Sequence, residues 1–421
     1  MTPNSLSDSV EPADLYRDLH QHPELSFAEF RTASTVAHRL RYMGFDTTER
    51  VGRTGVVGVL RNGAGPTVLM RADMDGLPML ERTGLPYASA ARGVDRDGND
   101  VPVAHSCGHD MHVTCLLGAL QGLSVDRSSW RGTVLAVFQP AEEIGQGAQA
   151  MLDDGLYERF GRPDVVLGQH VGPLPAGFLA VRPGPAFAAA DAIRVVLYGK
   201  GGHGSRPETT IDPVVMAAAT VLRLQTIASR EVAATDAVVV TVGALRAGTK
   251  ENIVPDEAEL LISMRTFDPQ VRRRTLDAIE RIVRAEASAS GAERQPAVEL
   301  FDSFPALVND PAGVARTRGA LEAVAGGADR VLDPGLVTGS EDVGLLATAA
   351  DAPCVYWILG GADPADFTEA GSPADMMARS ARLPSNHSPL FAPVIEPTLS
   401  IGVAALVAAA RVWLGPRRSA P

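Results

Sequence analysis

The sequence predicts an α/β protein built on a mostly parallel sheet, interrupted by an inserted α+β unit. Three observations carry this. Short apolar runs such as TVLMRAD, TVLAVFQ and VVLGQHV alternate with helical stretches, as strands covered on both faces do. From about residue 188 the order becomes strand, helix, two strands, helix, strand, the βαββαβ pattern of a ferredoxin-like sandwich. Then SEDVGLLATAA, PCVYWILGG and a terminal helix resume the first pattern. The expected division is therefore 1–187 with 307–421 as the main domain and 188–306 as the insert. A chain of 421 residues is too long for one ordinary core in any case.

Taken in order, Leu15 and Leu19 recur at helical spacing before HPEL, whose proline stops the run. A second helix, SFAEFRTASTVAHRLRYMG, ends at Gly44, where a residue free to adopt positive φ is the usual stop. The strands GVVGVL and TVLMRADMD follow, the second delivering Asp73 and Asp75. VTCLLGALQGL reads as a buried helix, TVLAVFQ as a strand running into PAEE, and VVLGQHV as another strand. In such sheets ligands collect beyond the carboxyl ends of the strands, and Asp75, Glu142 and His170 are expected at such ends. The insert supplies AIRVVLYG, a helix around PVVMAAATVLRLQTIA, AVVVTVGAL, AELLISMRTF, the helix VRRRTLDAIERIVRAEA, and AVELFDS.

Composition limits the function. Hydrophobic residues make up 45% and charged residues 21%, ordinary for a globular protein. A net charge of −12 argues against nucleic acid as a partner, because a phosphate backbone demands a basic surface. The opening MTPNSLSDSVEP has neither a basic start nor an apolar core, so no leader is expected. The most apolar late segment, IGVAALVAAARVWLG, is short and broken by Arg411, so it reads as a packed helix with no role in a membrane. Cys107, Cys115 and Cys354 form an odd set without disulfide spacing, which suits a cytoplasmic setting.

The stretch HSCGHDMH, residues 105–112, is where the chemistry concentrates: one thiol, three imidazoles and a carboxylate in eight residues. A single histidine or cysteine there would be a polar loop before a helix, with Asp110 as its cap. The density favours a metal site, because thiolate and imidazole suit zinc and its neighbours. Glu142 and Glu143 follow a buried strand. Alone they would be a solvated helix start, but adjacent residues leaving a strand point different ways, so one can bind metal while the other faces substrate. Metal-assisted hydrolysis needs that division between ligands and a separate base. His170 and His387 are each unremarkable singly, as a core and a surface histidine, and together they would complete a ligand set.

These stretches resemble the M20 metallopeptidase family, in particular its amidohydrolase branch of hippurate hydrolases and aminoacylases. The matching segments are HPELSF, RADMDGLP, HSCGHDMH, FQPAEE, QHV, GGHGSRP, NIVP, GSEDVG and NHSPLF, in order over nearly the whole chain. One departure is Val343 in GSEDVG, where the family more often has phenylalanine. The resemblance implies a zinc-exopeptidase-like catalytic domain with a lid and dimerisation insert. It implies two divalent ions, zinc or manganese with cobalt or nickel as substitutes, held by Cys107, His109, Glu143, His170 and His387. Cys107 would bridge the ions, with Asp110 as the alternative bridge; Asp75 and Asp110 otherwise orient imidazoles. Glu142 would be the general base and then the acid.

In the insert, GKGGHG spells a dinucleotide-binding pattern, but no helix opens at once and AVVVTVGALRAG ends without a carboxylate. The resemblance instead makes His203 a residue that polarises the substrate carbonyl, and Asn252 and Arg265 holders of a free substrate carboxylate. It implies a homodimer and hydrolysis of an N-acyl amino acid. A dipeptidase or exopeptidase with the same machinery is the near alternative, and a metal-binding protein without hydrolysis the distant one. His20, His22 and His38 need no role beyond surface or packing, and HPEL reads as structural.

Overall fold

The computed structural model describes residues 11–416; most of the polar opening on which the expectation of no leader rests lies outside them. The chain divides into two compact units, Met1–Gly184 with Val308–Gly335 and Asp342–Pro421, and Pro185–Leu307 with Leu336–Glu341. The short return Leu336–Glu341, read from sequence as part of the main domain, groups with the second unit.

The first unit is organised by a nine-stranded sheet. Its centre is four parallel strands in the order Trp130–Gln139, Thr67–Asp73, Val165–Pro175 and Cys354–Ala362. Gly55–Asn62 and Asp46–Val51 extend it antiparallel at one side. The central strands are buried along almost their whole length, which is why their sequences are apolar without alternation. Helices His109–Val125 and Thr398–Trp413 pack on each other and on these strands. Both are apolar on most faces because each is enclosed on several sides. Trp130, Trp357, Tyr16 and Leu69 are fully buried in this unit; truncating a core tryptophan of this kind costs about 3–5 kcal/mol. Among the described residues no helix is long and apolar enough to cross a membrane.

The second unit holds an antiparallel four-stranded sheet in the order Val238–Ala247, Glu257–Thr266, Ala189–Tyr198, Ala297–Phe304. Helices Pro213–Thr226 and Pro269–Ala289 pack on it, with Ile193, Val195, Leu260, Ile262 and Ile279 in the core between. Each helix opens on an aspartate cap followed by proline. Asp212 accepts from the Val214 N–H, and Asp268 accepts from those of Gln270 and Val271.

Candidate metal and catalytic site

Four segments of the first unit converge. The loop His105–Gly108 leads into helix His109–Val125, and Gly108 makes the turn at φ +87°. A Cβ on Gly108 would stand 2.3 Å from Val171 Cγ1, so only glycine lets this loop lie against the strand that carries His170. Cys107 Sγ is consequently 3.5 Å from His170 Nε2. His170 Nδ1 donates to the Val171 carbonyl at 2.8 Å, which leaves the lone pair on Nε2, facing the sulfur. His170 sits inside the strand Val165–Pro175, not at its end as the sequence suggested; the paired backbone simply continues past it.

The third segment arrives through Asn386, whose amide donates to the carbonyls of Cys107 at 2.9 Å and Val171 at 3.0 Å. His387 follows in a left-handed conformation, φ +68°, a backbone region costly for histidine and common at functional sites. Its N–H donates to the Ser106 carbonyl at 2.8 Å, and its Nε2 lies 3.1 Å from Glu143 Oε2.

The fourth segment is the exit of strand Trp130–Gln139 into PAEEIGQG. Ala141 adopts φ +49°. Gly147 closes the turn so tightly that a Cβ on it would meet the Pro140 carbonyl oxygen at 1.5 Å. The N–H groups of Glu142 and Glu143 both donate to the Asp75 carboxylate, at 3.1 Å each, and the Ser26 hydroxyl donates to it at 2.6 Å. One carboxylate thus fixes the backbone of both neighbouring acids, and both side chains reach His109, whose Nε2 lies 3.9 Å from Glu142 Oε2 and 3.7 Å from Glu143 Oε1.

The donor atoms form overlapping groups, each within 4.8 Å: Cys107, His109 and His170; Cys107, Glu143 and His387; His109, Glu142 and Glu143. Cys107 belongs to two of them. Both ring nitrogens of His109 and Glu143 Oε1 are buried without a hydrogen-bond partner. His109 Nδ1 does lie 3.3 Å from Asp75 Oδ1, in ion-pair range but not aligned as a hydrogen bond. Orphaned polar atoms at this depth cost about 1–3 kcal/mol each, and coordination of a cation would satisfy them. Burial, with Glu143 and Glu142 nearby, pushes the Cys107 thiol well above its ordinary range. Burial also works against charge on His109, but Asp73, Asp75 and Glu143 outweigh it and raise that group to about 10. A thiolate amid carboxylates needs a compensating cation in its own shell, so the donor set fits divalent metal.

Asp110 is not part of this cluster. Its Oδ2 pairs with His20 Nδ1 at 2.6 Å and its Oδ1 accepts the Met111 N–H, so the alternative of Asp110 as a bridge has no geometric support. His20 is correspondingly no surface residue: it is 1% exposed and its Nε2 also reaches Glu81 at 3.2 Å. Cys115 and Cys354 are buried and take part in no disulfide.

His203, Asn252 and Arg265 belong to the second unit. His203 pairs with Ile253 across two short strands, and the Gly204 N–H donates to the Asn252 carbonyl at 2.8 Å, so His203 and Asn252 lie on adjoining segments. His203 is exposed, with Nδ1 2.8 Å from Ser205 Oγ. Arg265 stands instead on the four-stranded sheet, where Nη1 donates to Ser340 Oγ at 2.5 Å. Sequence reasoning missed Glu29, and it named Asp73 and His112 without a role. All three are buried, and each has a partner far away in sequence: Ala141 for Glu29, while Asp73 and His112 bond each other.

Residues 69–379 match the profile of peptidase family M20/M25/M40. The chain is 35% identical over 349 residues to thermostable carboxypeptidase 1 of Saccharolobus solfataricus, covering 82% of this chain and 84% of that one. It is 38% identical over 295 residues to hippurate hydrolase of Campylobacter jejuni, covering 70% and 74%. A solved structure from Bacillus subtilis, described as a dinuclear metal binding peptidase from the M20 family, superposes with a TM-score of 0.74 at 28% identity, over 95% of this chain and 97% of that one.

Proposed function

The chain belongs to peptidase family M20/M25/M40, and from that premise we propose that it is a metal-dependent amidohydrolase that splits N-acyl amino acids into a carboxylic acid and a free amino acid. The observation that carries this is the pair Glu142–Glu143. Asp75 holds their two N–H groups, Glu143 joins the Cys107 and His387 donors, and Glu142 is nine-tenths or more buried beside them.

In this reading Cys107, His109, Glu143, His170 and His387 hold two divalent ions, zinc or manganese, with cobalt or nickel also suited to the donor set. Bound there, the ions supply an acidified water and a polarised acyl carbonyl. Glu142 takes the proton of the attacking water on its carboxylate and returns it to the departing nitrogen. His203 donates to the carbonyl oxygen as charge develops on it, and Asn252 and Arg265 receive the free carboxylate of the substrate. A homodimer through the second unit is supported by its edge strand Val238–Ala247, which bonds to the sheet on one side and exposes Val239 and Leu245. The three cysteines, none of them in a disulfide, suit a reducing, cytoplasmic setting.

The relative named as a carboxypeptidase keeps a second reading in view, cleavage of short peptides by the same groups. The test is amino-acid release from N-acetyl and N-benzoyl amino acids and from dipeptides, using protein stripped of metal and reloaded with zinc or manganese. Cleavage of acyl amino acids only after reloading supports the proposal. Cleavage confined to substrates with a free α-amino group on the acyl side selects the peptidase. No cleavage by protein holding two metal equivalents removes both.

A further inference from the structure

The segment HPELSFAE has no part in the chemistry described so far, yet its last residue is among the most deeply buried acids in the chain. Glu29 is 0% exposed. It occupies the position before helix Phe30–Tyr42 but does not cap it; Glu24 does, accepting from the N–H groups of Arg31 and Thr32. That leaves the Glu29 carboxylate for other partners. Its Oε1 accepts the Phe27 N–H at 2.9 Å and the Ala141 N–H at 2.8 Å, and its Oε2 accepts from the Thr54 hydroxyl at 2.5 Å. Ala141 lies 112 residues away and directly precedes Glu142.

Ala141 is in the left-handed region at φ +49°, a conformation that strains a residue carrying a Cβ. Phe27, whose N–H shares the same oxygen, is also left-handed, at φ +61°. Adding the two bonds from Asp75, three consecutive N–H groups, of Ala141, Glu142 and Glu143, are gripped by two buried carboxylates. The same N-terminal segment supports the second carboxylate too. Ser26 donates to Asp75, and the Gly76 N–H bonds the Glu24 carbonyl at 2.7 Å.

We propose that Glu29 is a positioning residue: through the Ala141 N–H it holds the strained turn that aims Glu142 at substrate and Glu143 at metal. This rests on the roles given to Glu142 and Glu143 above. The decisive property is reach, not charge. Glutamine keeps an acceptor oxygen at the same distance, whereas aspartate keeps the charge and falls one methylene short of Ala141.

The experiment compares Glu29→Gln and Glu29→Asp with the full-length parent. It reads zinc uptake by metal-free protein in calorimetry, kcat and KM on the best substrate, and the melting temperature of the same metal-free samples. Glu29→Gln should stay within about threefold of the parent in both zinc affinity and kcat. Glu29→Asp should lose about tenfold or more in zinc affinity and about 10²-fold in kcat, the scale expected for disturbed support of a ligand and for a misplaced reacting group. Its KM should move far less. Adding Ala141→Gly to Glu29→Asp removes the left-handed strain and should recover at least part of both losses. Equal behaviour of all variants, or a defect in Glu29→Gln with none in Glu29→Asp, overturns the proposal. If the parent itself takes up no zinc and cleaves nothing, the functional reading has failed, and that outcome is distinct from either.

Discussion

His112 donates from Nδ1 to Asp73 Oδ1 at 2.5 Å, and the opposite nitrogen of the same ring accepts the Val171 N–H at 2.8 Å. Both ring nitrogens are therefore committed. Although its ring stacks on His109 with centroids 5.4 Å apart, His112 has no lone pair left for a cation. Burial keeps the imidazole neutral despite Asp73, lowering it to about 4, as a donor on one side and acceptor on the other requires. The pair ties the helix that begins at His109 to the strand that carries His170.

Behind it lies a buried ion network. Asp73 Oδ2 receives Arg71 Nη1 at 2.6 Å, Arg71 Nε donates to Gln139 at 2.9 Å, and Arg71 Nη2 reaches Asp342 at 3.1 Å. All these groups are essentially inaccessible to water. Arg71→Met would leave Asp73 and Asp342 without their shared cation. The expected loss is about 3–5 kcal/mol, far above an exposed pair. A lowered unfolding midpoint in urea checks this; a midpoint unchanged from the parent would show the network to be dispensable.

Glu142 and Glu143 should separate cleanly on substitution, because their backbones share Asp75 while their side chains do not share a task. Glu142→Gln should lower kcat by about 10²–10⁴-fold with metal content unchanged. Glu143→Gln should lower metal content itself. Metal analysis alongside steady-state rates reads both, and a Glu142→Gln protein with parental kcat would remove that residue from the reaction.

His20 gives a pH dependence of stability. Burial opposes its charge, but Asp110 and Glu81 prevail and raise it from 6.5 to about 10. A group raised on folding contributes its full stabilisation below the unfolded value, near 6.5, and loses it as pH climbs toward 10, at about 1.4 kcal/mol per unit. The melting-temperature gap between the parent and His20→Gln should therefore be largest below pH 6.5 and close steadily toward pH 10. A gap that widens with pH would contradict the ion-pair assignment.

The parallel strands were legible in sequence because burial on both faces leaves short apolar runs, told from buried helices by their length and flanking turn residues. HSCGHDMH was legible because scarce donors crowd into a few positions. Glu29 was not, since an acid before a helix reads as a cap, and only the tertiary fold shows that Glu24 has taken that task. The fates of Asp110 and His20 were hidden for the same reason: each carboxylate or imidazole takes its role from whichever partner the fold brings within 3 Å. The placement of His170 inside its strand was hidden because an apolar run marks where a strand exists, not where pairing stops.

Cys107 offers the sharpest prediction about the centre, because its sulfur belongs to the donor group with His109 and His170 and also to the one with Glu143 and His387. A ligand confined to one group should affect one ion; a ligand common to both should affect two. His387 is half exposed and appears in a single group, so His387→Ala should cost one metal equivalent or weaken one binding event by at least about tenfold. Cys107→Ala should weaken both. Cys107→Asp restores an anion with two oxygens able to span a pair of ions, so it should recover two equivalents. Exchanging a soft thiolate for a hard carboxylate should also tilt the preference from zinc toward manganese. Calorimetric titration of each metal-free variant with zinc and with manganese measures all three. Two unperturbed zinc equivalents in Cys107→Ala would mean that the thiol bridges nothing, and that the two donor groups close around their ions without it.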